Sequence, residues 1–144
     1  MDYAKRYVWL CILFTILFGL ALWLLEIIEG SKITTSEHLD FGLFLVGLGA
    51  LFGFFLFFLT FFPLTLFIQK FLNILAVKLV MFTTLAAWGG TLIFDAMYVD
   101  WFIEGYNLNV GMAMILYGIV GFIYAVADHF LMYEEDNHNH SFEA

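Results

Sequence analysis

The sequence predicts an all-α integral membrane protein, a single domain of four transmembrane helices joined by short loops. Three observations predict it. Hydrophobic residues make up 64% of the 144 residues and charged residues only 12%, whereas soluble domains carry about a quarter charged. The mean hydropathy is +0.97. The apolar residues also gather into four runs, each near the ~20 residues that cross a ~30 Å hydrocarbon core. A chain this short cannot hide so much hydrocarbon from water by itself. The formal charge is −8 and no basic stripe is present, which excludes a nucleic-acid partner.

The first span is read over 8–28. Lys5 and Arg6 precede it, and Glu29, Gly30 and Ser31 follow it. It is too long for a signal-peptide core and lacks a small-residue cleavage site, so a retained span is expected. Residues 29–40 form the first loop, in which Ser36 or Asp40 is placed to cap the next helix.

From Phe41 to Ile68 no charged residue occurs, and Pro63 interrupts the run. This is more than one membrane thickness of helix. The preferred reading is a span over 41–62, followed by an interfacial segment over 63–75. A single helix kinked at Pro63 is the alternative. The third span is expected over 76–98, with Lys78 near its start and able to snorkel. The fourth is expected over 110–132. An acidic tail over 133–144 follows, with too little apolar content to order itself. Trp9, Trp23, Trp101, Tyr98 and Tyr133 are read as interfacial belt anchors. Lys5, Arg6, Lys70 and Lys78 fall on one side and Lys32 alone on the other. The positive-inside rule then gives N-in, C-in, and a bacterial inner membrane is the expected location.

Small residues suggest where helices meet. Gly49 and Gly53 form a G-x-x-x-G pair in span two, and Gly111, Gly118 and Gly121 mark span four. They fit packing within one bundle or between subunits. The stretch 52–62 is aromatic on every side, which suits an accessory helix in a larger assembly.

Carboxylates at membrane depth are expensive, so each is a site candidate. Glu26 and Asp95 fall at similar depth near one face, and a proton, a cation or a partner's hydrogen bond is expected there if spans one and three adjoin. Thr91 shares a helical face with Asp95. Tyr117, Gly121, Tyr124 and Asp128 follow a three-four spacing and so form one stripe. A Lys78–Asp128 ion pair is a packing expectation. Cys11 is the sole cysteine, so no intrachain disulfide forms. No catalytic or nucleotide-binding motif is present, and no inward histidine pair has ligand spacing. No enzyme activity, cofactor or metal is therefore expected. Asp136, His138 and His140 in the tail are weak evidence for a soft or borderline metal site there.

Three functions compete. The first is a non-catalytic accessory, assembly or regulatory subunit acting through helix contacts. Its partners would be membrane lipid and other membrane subunits or further copies of itself. The second is a small oligomeric proton or cation transporter or channel using the intramembrane carboxylates. The third is a membrane-active effector or immunity protein.

Overall fold

Hydrocarbon offers the backbone no hydrogen bonds, so a spanning segment must satisfy its own amides, and the four apolar runs fold as helices. A computed structural model describes residues 3–34, 41–71, 74–98 and 105–140, with side chains between Ala4 and Tyr133 of these. In order, α1 is Tyr3–Ile28, α2 Phe44–Leu56, α3 Phe62–Phe71, α4 Leu75–Tyr98 and α5 Val110–His140. Four helical segments are long and apolar enough to cross a membrane. The protein is thus an all-α bundle of four spans.

The second span does not stop at Phe62. A π-helical turn over Phe57–Phe61 joins α2 directly to α3, and the uninterrupted helix Phe44–Phe71 has 28 residues. Proline lacks an amide hydrogen, and in a helix its ring clashes with the carbonyl four residues back. Widening the preceding turn by one residue relieves that clash, and the Phe62 amide donates to the Phe57 carbonyl five residues back. The hydroxyls of Thr60 and Thr65 donate to the carbonyls of Leu56 and Phe61, each at 2.7 Å. Segment 63–71 therefore continues the helix of the second span without a break.

At the other end of the chain, α5 runs on to His140. The acidic tail holds no Gly or Pro before Ser141 to end it. At its start Asn109 is the N-cap, its side-chain oxygen accepting from the Gly111 amide at 2.9 Å. Ser36, Asp40, Trp101, Asp100 and Glu104 lie outside the described residues.

α1 packs on α2 and on α5, and α5 packs on α4, while α2 and α4 make no extended contact. The outer pair is accordingly the less covered. In the most apolar stretch of each span, 44% of residues are buried for the first and 39% for the fourth. The second and third reach only 28% and 22%.

Two close crossings fix this order. A Cβ on Gly49 would lie 2.9 Å from the Gly19 Cα, and one on Gly53 would lie 2.9 Å from the Phe18 Cβ. A Cβ on Gly121 would run into the Phe82 carbonyl, and one on Gly90 would lie 2.7 Å from the Ala113 carbonyl. Gly49, Gly53 and Gly121 thus stand at helix crossings. Gly118 meets side chains only at ordinary contact, 3.7 Å from the Ala87 Cβ, and Gly111 meets only its own Asn109 cap.

Candidate functional site

Polar side chains gather at the two ends of the bundle. At the end holding the N-terminus, Asp128 of α5 is fully buried between Arg6 of α1 and Lys78 of α4, themselves 1% and 0% exposed. Arg6 Nη2 donates to Asp128 Oδ1. Lys78 Nζ lies 2.7 Å from Oδ2, off the axis of an aligned hydrogen bond, so this is chiefly a charge contact. Gln69 of α3 points an amide hydrogen at Asp128 Oδ1 from 3.5 Å and accepts the Tyr7 hydroxyl at 2.9 Å. One turn deeper, Thr65 of α3 and Tyr124 of α5 share a hydrogen bond of 2.8 Å. All four spans meet in this one cluster. Two cations converge on one carboxylate, so Asp128 offsets a desolvation cost of several kcal/mol per buried ion.

At the opposite end Glu26 and Glu29 are also buried. Tyr98 of α4 donates to Glu26 Oε2 at 2.7 Å. Glu29 Oε2 takes the Lys32 ammonium at 2.7 Å and the Asn109 amide at 2.8 Å. This ties the end of α1 to the start of α5. Glu29 Oε1 and the Tyr117 hydroxyl are buried without hydrogen-bond partners among the described residues.

Between the ends the interior is filled by rings. Phe14 lies 4.3 Å from Phe61, centroid to centroid. Phe61 stacks on Phe82 at 5.6 Å and 19°, and Tyr124 stands edge-on to both Phe61 and Phe82. Offset and edge-on pairs of this kind add to the burial energy. The two polar clusters are therefore separated by a packed aromatic layer.

The stripe read from the sequence lies on the inward face of α5, since Tyr117, Gly121, Tyr124 and Asp128 are all buried. The Lys78–Asp128 pair is present. Glu26 and Asp95 are not brought together. Tyr98, three residues beyond Asp95, takes the inward position and the bond to Glu26, which leaves Asp95 exposed. Thr91 turns its hydroxyl back to the Trp88 carbonyl at 2.7 Å, away from any shared site with Asp95. Tyr98 is buried, so it is no belt anchor, whereas Trp9 and Tyr133 are more than half exposed.

Arg6, Tyr7, Gln69, Thr65 and Asn109 are among the members that sequence reasoning missed. Among the described residues, no group of three or more His, Cys, Asp or Glu is placed to hold a metal ion.

Fold and interior together define an integral membrane four-helix protein whose buried charges are engaged largely by one another. No protein-family model, curated protein or solved structure matches the chain.

Proposed function

We propose that the protein is a non-catalytic accessory or assembly subunit that works through helix contacts made by its second and third spans. The observation that carries this reading is the uneven cover of the bundle. Phe52, Phe54, Phe55, Phe58 and Leu59 are each 43% to 75% exposed along one span. Dispersion packing, not the hydrophobic effect, drives helix association in lipid, and broad aromatic side chains supply much contact area for it. The interior supports the same view. An ion pathway needs polar positions along a wall, but the two charged clusters are closed off from each other by rings.

On this reading the chain sits N-in, C-in in a bacterial inner membrane, with Lys5, Lys70 and the Arg6–Asp128–Lys78 cluster on the cytoplasmic side. Solubilisation from native membranes in a mild detergent, followed by blue-native electrophoresis, tests it. The chain is expected to migrate in an assembly larger than one copy. Migration as a free monomer throughout would overturn the proposal.

A further inference from the structure

Because α2 and α4 stand apart above the Phe61–Phe82 stack, a cleft of about 190 Å³ lies between them, lined by residues that include Phe18, Leu56, Leu85, Trp88, Gly89 and Leu92. Its walls are hydrocarbon and aromatic apart from two hydroxyl-bearing side chains, Tyr117 and Thr60, and the Thr60 hydroxyl is already given to the Leu56 carbonyl at 2.7 Å. A cavity of this kind does not hold water, which needs two to four polar partners. Nor does it seat a helix, whose diameter with side chains is about 10–12 Å. Its apolar lining suits a segment of one alkyl chain.

About one turn beyond the lining residue Leu92, α4 carries a carboxylate. Trp88, Leu92 and Asp95 recur at four and then three residues, so they share one stripe of α4. Asp95 follows Leu92 by about 4.5 Å along the helix axis. It lies in the last turn of α4, which ends at Tyr98, and so near headgroup depth. The carboxylate is exposed, with no hydrogen bond or ion pair among the described residues. The basic side chain described at this end is Lys32, and Glu29 engages it. The carbonyl end of the α4 dipole adds further negative potential at the same place. Trp88 is 59% exposed beside the cleft, which offers a ring face to a cation.

We propose that the α2–α4 cleft and Asp95 together bind a membrane-soluble organic cation, with its alkyl chain in the cleft and its ammonium head at the carboxylate. An apolar tail alone would be no different from surrounding lipid. The unneutralised Asp95 above the cleft is what selects a positive head, and a lipid phosphate would be repelled there. The site needs no partner chain, so it stands or falls separately from the helix-contact role.

The test uses the full chain in phosphatidylcholine nanodiscs, titrated calorimetrically with dodecyltrimethylammonium. Empty nanodiscs give the partitioning baseline, and dodecanol is the uncharged counterpart. One saturable site per chain is expected for the cation and none for the alcohol. Asp95→Asn is expected to weaken the site by about tenfold or more. A Cβ at Gly89 meets nothing within 4 Å, so Gly89→Leu should fill the cleft and abolish saturable binding while helix content and melting midpoint hold. Uptake that matches empty nanodiscs, or binding unchanged in both variants, would overturn the proposal. So would a membrane-protein partner that Gly89→Leu releases while cation binding never saturates, since the cleft would then belong to that partner.

Discussion

Asp128 is the residue whose loss the bundle should tolerate least. In Asp128→Asn the side-chain volume is kept but the carboxylate that Arg6 and Lys78 share is removed. Both cations are at most 1% exposed, so neither can turn to water in place. Breaking a buried pair typically costs about 3–5 kcal/mol because a charge is left uncompensated, and here the fully buried Lys78 ammonium loses the carboxylate 2.7 Å away. Lys78→Met behaves differently. It leaves Arg6 and Asp128 as a neutral pair and puts an apolar side chain of similar length against Met132, whose sulfur the ammonium now approaches at 3.8 Å. Its cost should be near 1 kcal/mol, since apolar replacement of a buried ion is often close to neutral.

At roughly 3 °C per kcal/mol for a chain of this size, Asp128→Asn should lower the apparent melting midpoint by about 10 °C, and Lys78→Met by about 3 °C. Circular dichroism in mild detergent at neutral pH reads both. Equal midpoints for the two variants, or an Asp128→Asn midpoint within about 2 °C of the parent, would refute the reasoning that one carboxylate balances two buried cations.

Other substitutions probe the remaining contacts. Gly121→Ala forces a methyl onto the Phe82 carbonyl and should cost about 1–3 kcal/mol by overpacking, while Gly118→Ala should stay within about 0.5 kcal/mol; thermal melts compare them. Tyr98→Phe removes the hydrogen bond to the buried Glu26 carboxylate and should cost about 1.5–3 kcal/mol, read as a lower denaturant midpoint. Thr65→Val leaves the buried Tyr124 hydroxyl without its bond and should cost about 1–3 kcal/mol, with a matching rise in hydrogen exchange across α3.

The spans were legible because a membrane core imposes a length and a solvent, and both are written in composition. The α5 stripe was legible because 3.6-residue periodicity places Tyr117, Tyr124 and Asp128 on one face whatever the neighbours are. Arg6 was not. From sequence it reads as an interfacial cation, and only the approach of α5 to α1 buries it. Glu29 and Tyr98 follow the same pattern. Each sits at a span's end, where water or a partner helix would satisfy it equally well, and tertiary packing decides which. Asn109 was a signal overlooked, since a cap-forming residue directly before an apolar run is visible in sequence. Pro63 was visible as a breaker, but whether a proline ends a helix or is absorbed by a wider turn depends on what the following segment can bond. Here Thr65, Ile68 and Gln69 face inward and hold α3 in the bundle.

The most direct test of the helix-contact role is photo-crosslinking in native membranes from a benzoylphenylalanine placed at Phe55. The same probe at Ile119 of α5 serves as a control, since the two positions are 63% and 51% exposed. A discrete protein adduct from Phe55 and none from Ile119 is the predicted result. Adducts to lipid alone from Phe55, or protein adducts of equal strength from both positions, would contradict it.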